Sequence, residues 1–323
     1  MPPEPRANPY FAGHEGAVAS LYHAASTGRL HHGWLLAGPP GIGKATLAFR
    51  FARWLLAGGQ GADLAVPETS GVFRRVAAAT HPDLFTAERK LNEKTGKLQG
   101  EIVIATIQAA SAFMRLTPAE GGWRVVIVDG AEDLNTNAAN ALLKLLEEPP
   151  PRAILLLTSA APGRLLPTIR SRCRLLPIPA LPDATVQDLL ARYAPEVRDR
   201  GRLAELAEGS IGAALSLAAE GGVEIAALVD EALNGALSTA RAQNIADAVA
   251  KLTDGVDRFE LFCALLRGRL AARTRQAGRA GAQNLAQAVE VWQEVGRLER
   301  ETVGLNLDKR AAVIVALGLL HKI

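Results

Sequence analysis

Over its first half the chain alternates short apolar runs with longer stretches of helical periodicity. Residues 33–37, 123–128, 153–157 and 174–178 are nearly unbroken apolar runs of strand length, bounded by turn formers. That pattern belongs to strands buried on both faces of a parallel sheet. Residues 81–85, His-Pro-Asp-Leu-Phe, predict a further strand. Between these runs, residues 17–26, 47–56, 104–116 and 136–148 repeat apolar positions at helical spacing, as in Leu47, Phe51, Trp54 and Leu55. The last of them stops at Pro149-Pro150-Pro151. Residues 57–80 are rich in Gly, Ala and turn formers and read as an insertion or loop. Residues 88–100 carry Lys90, Lys94 and Lys97 with little apolar content and read as an exposed hairpin or loop.

Strands thus alternate with helices over residues 33–178, which implies a parallel sheet with helices on both faces. After Pro182 the chain reads as helical to its end, with breaks at Gly209, at Gly221-Gly222 and around residues 278–281. The fold class expected is α/β followed by all-α. The expected domains are an α/β domain at 1–180, a small helical domain at 181–240 and a C-terminal helical domain at 241–323. No repeat with a period of 20–50 residues, the signature of solenoids, is visible.

Composition narrows the classes. Of 323 residues 49% are apolar and 21% charged, enough apolar surface to offset chain entropy, so most of the length is not disordered. The net charge of +3 is too small to argue for a dedicated DNA binder. The two cysteines, Cys173 and Cys263, form no metal-ligand spacing and no disulfide framework. The first residues carry Pro, Glu and Arg without an apolar core, so no secretory leader is expected. The longest apolar run, residues 311–320, is shorter than the ~20 residues a bilayer needs. A cytoplasmic protein is expected.

Gly38-Pro39-Pro40-Gly41-Ile42-Gly43-Lys44 has the GxxxxGK spacing of a phosphate loop, between a predicted strand and a predicted helix. Glycines let backbone N–H groups curl around phosphate oxygens, the helix points its positive end at them, and Lys44 adds a point charge. The bland reading is a Gly-rich turn. The next residue is Ala45, where such loops carry a Ser or Thr ligand to Mg²⁺. Thr46 comes one residue late, turned by ~100° around the helix. Asp129 ends the run Val125-Val126-Ile127-Val128, where a carboxylate can hold Mg²⁺ directly or through water. Its bland reading is a helix cap or turn carboxylate. Gly130 follows it, where hydrolytic phosphate-loop proteins carry a water-activating Glu; Glu132 and Asp133 lie too far along the turn to stand at the same point.

The run Asn137-Ala138-Ala139-Asn140-Ala141-Leu142-Leu143-Lys144-Leu145-Leu146-Glu147-Glu148-Pro149-Pro150 and the triplet Ser171-Arg172-Cys173 resemble bacterial clamp-loader subunits of the AAA+ class. The resemblance is strong over residues 9–180, moderate to 216 and architectural beyond. It implies an AAA+ domain, a helical lid and a C-terminal helical collar. By resemblance Gly38, Gly41, Gly43, Lys44 and Asp129 match nucleotide-binding positions, and Thr46 is counted with them as a cofactor-binding residue. Thr158 matches the residue that senses the γ-phosphate, and Arg172 matches the arginine finger that reaches a neighbour's ATP. Residues 209–215 resemble the second sensor segment, with Gly212 where an arginine is expected.

Ala45, Gly130 and Gly212 each lack a catalytic group within an intact scaffold. That implies a subunit that serves its neighbour's site and holds ATP or ADP with Mg²⁺ weakly or not at all at its own. The family often carries a four-cysteine zinc module after the phosphate-loop helix; residues 57–80 contain no cysteine, so no zinc is expected. The partners implied are gamma/tau and delta clamp-loader subunits, the sliding clamp and primer-template DNA through the assembled complex, with no membrane. Two alternatives stay open: an active gamma/tau-type ATPase, and a stand-alone AAA+ DNA remodeller.

Other residues carry competing readings. Arg172 is otherwise a surface arginine paired with a local carboxylate. Cys173 reads as a small buried residue rather than a nucleophile. His31 and His32 read as solvated loop histidines. Arg267, Arg269, Arg273, Arg275 and Arg279 read as a solvated helix face, with contact to DNA phosphates or to an acidic partner as the sharper alternative.

Overall fold

A computed structural model describes residues 2–91, 96, 98–120, 122–235, 237–250, 257–279 and 285–322. The chain divides into two compact units. The first holds Met1–Glu196 and Ala207–Ala213, the second Val197–Leu206 and Ala214–Ile323.

The first unit is built on β1 (Gly33–Ala37), β2 (Leu84–Ala87), β3 (Arg124–Val128), β4 (Ala153–Ser159) and β5 (Arg174–Pro177), in the order β2-β3-β4-β1-β5. All four pairings are parallel. Alternation along each strand sends neighbouring side chains to opposite faces. Trp34, Leu36, Val125, Ile127, Ile154 and Leu156 join one core, closed by α1 (Glu15–Ser26), α2 (Lys44–Leu56) and α3 (Gly71–Ala77). Leu35, Val126, Val128, Leu155 and Leu157 join the other, closed by α4 (Ile104–Met114), α5 (Thr136–Glu147) and α6 (Pro167–Arg172). The strands look continuously apolar because both faces are covered. α7 (Asp183–Tyr193) follows the sheet.

Two segments differ from the sequence expectation. Residues 57–80 are not all loop, because α3 lies within them, capped by the Ser70 hydroxyl accepting from the Val72 N–H at 3.2 Å. With only Phe73 and Val76 buried, its apolar repeat is too short to register as periodic. The strand expected at 81–85 begins three residues later, at Leu84. His81 and Asp83 are used instead in side-chain bonds. His81 Nδ1 accepts the Asp83 N–H, while the Asp83 carboxylate accepts the N–H groups of Ala119 and Glu120. In the 88–100 segment Leu91 and Leu98 form an antiparallel bridge, as a hairpin would; Lys94 and Lys97 lie outside the described residues.

The second unit is helical among its described residues. It comprises α8 (Arg200–Leu206), most of α9 (Ile211–Ala219), α10 (Gly222–Asn234), α11 (Thr239–Ala250), α12 (Arg258–Arg279), α13 (Ala286–Gly304) and α14 (Lys309–Leu319). Ile225, Val229, Ile245, Phe259, Phe262, Leu266, Val295 and Val313 form its core. The expected break around residues 278–281 falls partly outside the described residues. Among the described residues no single helix is long and apolar enough to cross a membrane.

Candidate functional site

In a parallel sheet every strand ends on the same edge, so the residues that follow β1, β3 and β4 converge. Gly38 follows β1, Asp129 follows β3, and Thr158 lies near the end of β4 opposite Leu36. A cavity of about 350 Å³ opens there, lined in part by Pro40, Lys44, Asp129, Glu132, Asp133 and Thr158. Lys44, Asp129 and Thr158, which the resemblance matches to nucleotide-binding and γ-phosphate-sensing positions, stand together there. Thr46 is half-buried on α2 and does not line the cavity.

The groups in the cavity are largely satisfied by one another. Lys44, 8% exposed, donates from Nζ to the Gly38 carbonyl at 2.8 Å and the Pro39 carbonyl at 2.5 Å. Burial pushes its pKa below the ordinary lysine value, against the pull of Glu132 and Asp129. Thr158 Oγ1 donates to Asp129 Oδ1 at 2.6 Å and accepts the Gly130 N–H at 3.0 Å. Glu132, which spacing alone placed too far along, enters the cavity on a 3-10 turn, Ala131–Asp133. Its Oε1 accepts the Ala160 N–H at 2.7 Å, while Oε2 is buried with no hydrogen-bond partner among the described residues. Only the turn geometry brings it there, and spacing from Asp129 does not reveal that.

The phosphate loop is also covered. Gly41 has φ +70°, and a Cβ there would lie 2.4 Å from Ser210 Oγ and 3.1 Å from Gly212 Cα. The Gly212 N–H donates to the Gly41 carbonyl at 2.9 Å, and Ser210 Oγ donates to the Pro40 carbonyl at 2.9 Å. A Cβ on Gly212 would lie 2.9 Å from Gly41 Cα, so any side chain there presses on the loop. Glu88, Asp129, Glu132 and Asp133 face the cavity against Lys44 and Arg89, and Arg89 already pairs with Asp133 at 3.0 Å. Among the described residues this donor set fits a polyphosphate poorly: the lysine is bonded to its own loop and carboxylates outnumber cations. Among the described residues no cluster of three or more His, Cys, Asp or Glu is arranged to hold a metal ion.

Arg172 stands elsewhere. It ends α6 and precedes β5, which starts opposite Trp34 near the beginning of β1. Arg172 therefore lies at the sheet edge opposite to the phosphate loop. The five residues of β1 separate those edges by about 16 Å at ~3.3 Å per residue. A Cβ on Gly33 would meet the Arg172 carbonyl at 3.4 Å and Leu146 at 2.8 Å, so this corner is tightly packed. The side chain is 37% exposed, its guanidinium bonded to Glu147 at 2.8 Å and to the Thr168 carbonyl at 3.1 Å.

The remaining candidates resolve as follows. Cys173 and Cys263 are buried, and burial pushes each thiol up to about 12, so neither is a ready nucleophile. His31 and His32 are not simply solvated: their rings stack at 4.3 Å, and His32 Nε2 bonds the Leu146 carbonyl at 2.9 Å. In the basic run, Arg267 pairs with Glu299 and lies over Trp292, Arg269 pairs with Asp230, and Arg273 bonds the Leu233 carbonyl. Arg275 and Arg279 have no ion-pair partner among the described residues.

A phosphate loop after β1, an acidic residue after β3, a polar residue at the end of β4 and the order β2-β3-β4-β1-β5 define the AAA+ class. The family model described as DNA polymerase III, delta subunit, matches residues 13–182, more than half of the chain, and the chain belongs to that family. The DNA polymerase III subunit delta' of Pseudomonas aeruginosa is 42% identical over 165 residues, 51% of this chain and 48% of that protein. The Escherichia coli K12 subunit delta' is 36% identical over 198 residues, 61% of this chain and 57% of that protein. The subunit tau of the same organism is 30% identical over 256 residues, 74% of this chain and 37% of that protein. The chain spans about half the length of the delta' relatives it matches.

Proposed function

We propose that this chain is the delta-prime subunit of a clamp loader. It holds ATP or ADP with Mg²⁺ at most weakly, carries no zinc, and donates Arg172 to ATP bound by an adjacent gamma/tau subunit. With delta it helps open the sliding clamp and place it on primed DNA in the cytoplasm. In this reading residues 1–180 are the AAA+ domain, 181–240 the lid and 241–323 the collar.

One observation carries the reading. Arg172 lies at the opposite sheet edge from the chain's own phosphate loop, about 16 Å away by strand length. A finger so placed cannot serve its own nucleotide. An arginine supplied in trans acts by setting a planar, fully charged donor fork against charge on the transferring phosphoryl group. The loop itself supports the complementary half: Lys44 is bonded to Gly38 and Pro39, and the positions of Mg²⁺ ligand and water-activating carboxylate are Ala45 and Gly130.

The rival reading, an active gamma/tau-type ATPase, draws on the tau similarity and requires those missing groups. Steady-state ATP turnover by the purified chain separates the two. Turnover well below ~1 s⁻¹, the low end of ordinary enzymes, is expected; a kcat at or above that value overturns the degenerate-site reading.

A further inference from the structure

We propose that Glu147 is a positioning residue for Arg172, holding its guanidinium in the orientation from which it reaches a neighbour's nucleotide. This rests on the reading of Arg172 as a finger in trans.

The two residues come from different elements with different anchors. Glu147 is the last residue of α5, whose Leu142, Leu145 and Leu146 are buried in the sheet core. The Leu146 carbonyl is further tied to His32 Nε2 at 2.9 Å. The carboxylate therefore hangs from backbone that the core fixes. Arg172 ends a six-residue helix in which Ile169 alone is buried. An arginine on so short a support has a long, rotamer-rich side chain, and ordering it costs side-chain entropy. Here two acceptors from two elements fix the plane of the fork: Nη2 meets Glu147 Oε1 at 2.8 Å, and Nη1 donates to the Thr168 carbonyl at 3.1 Å. Arginine has five N–H donors, so others remain for phosphate oxygens.

The pair is too exposed to matter for folding. The side chains are 37% and 48% exposed, and surface pairs of this kind contribute little to stability. Its consequence falls on catalysis, where a group already oriented before the transition state needs no reorganisation. Because a finger engages the transferring phosphate, losing its orientation lowers kcat rather than raising KM.

The test uses the reconstituted complex with clamp and primed DNA, measuring kcat and KM for ATP after assembly is confirmed by native mass. Glu147→Ala is expected to lower kcat by a factor of about five to ten, the equivalent of ~1–1.4 kcal/mol, with KM unchanged. Glu147→Gln keeps an acceptor oxygen at the same reach and is expected to restore most of the rate. In the Arg172→Ala background, Glu147→Ala should add nothing, the coupling expected when one residue acts through the other. If Glu147→Ala hinders assembly, Glu147→Asp carries the test, since it keeps the charge and withdraws the acceptor by one methylene. Wild-type kcat in Glu147→Ala or Glu147→Asp, or a full independent loss added to Arg172→Ala, overturns the inference while the finger reading stands. Wild-type kcat in Arg172→Ala overturns the finger reading, and this inference with it.

Discussion

Gly41 shows how much one position can be asked to do. Its φ of +70° lies where a Cβ costs ~1–3 kcal/mol, and the space a Cβ would take belongs to Ser210 Oγ at 2.4 Å. Gly41→Ala should therefore lower stability by about 2 kcal/mol or more, read as a lower urea midpoint with an unchanged slope. His81 makes a second prediction. Burial, with Arg75 adding to it and Glu120 and Asp83 opposing, sets its pKa below the ordinary histidine value. The unfolded chain therefore takes up the proton first as pH falls below ~6.5. Stability from neutral His81 is present above that pH and lost as pH falls toward the folded value. His32 shifts the same way, chiefly through burial. Melting temperature should drop between about pH 7.5 and 5.5. His81→Asn, whose amide oxygen can accept the Asp83 N–H, should flatten part of that slope; an unchanged slope contradicts it. At this scale the spacing of the glycines and Lys44 was legible, because a phosphate loop is a local device, and Asp129 was legible because it ends an unbroken apolar run. Glu132 was not, because a 3-10 turn after Gly130 decides where it points.

The elements that could be read from the chain are those whose side chains repeat a single environment. β1, β3 and β4 are buried along their whole length and stand out as unbroken apolar runs. α5 was equally plain, with helical apolar spacing along it and prolines after its end. α3 was hidden by its brevity, and β2 was displaced because the polar groups of His81 and Asp83 bond backbone and hold a turn. α5 deserves a test of its own, since it connects the cavity edge of the sheet to the Arg172 edge. The Asn135 side chain accepts the Ala138 N–H at 2.9 Å and satisfies a helix end that would otherwise lack a partner. Asn135→Ala should cost about 1 kcal/mol in thermal or urea unfolding, and Asn135→Asp should cost much less. Equal losses from both would mean that the cap is not what Asn135 contributes.

At the scale of the whole molecule, the parallel sheet separates two kinds of chemistry onto two edges. The edge after β1, β3 and β4 gathers a phosphate loop whose lysine is bonded to its own backbone and whose Gly41 is clasped by Gly212. The opposite edge presents Arg172 beside Glu147. The motifs of both edges were legible in the sequence, but their separation was not, because only strand order and direction set it. The closure of the loop by residues 209–213 was also hidden, since it joins segments far apart along the chain. The most direct test of a donor subunit is ATP turnover and clamp loading on primed DNA, in complexes rebuilt with Arg172→Ala or Lys44→Ala. Arg172→Ala should assemble, because an exposed side chain away from the core changes stability by only ~0.5 kcal/mol. It should still slow loading at least about tenfold, a modest part of the ~10³–10⁵ that a finger supplies at a single site. Lys44→Ala should slow it less. An Arg172→Ala complex that assembles normally and loads clamps at the wild-type rate would contradict the assignment of this chain as a donor of catalytic help to its neighbour.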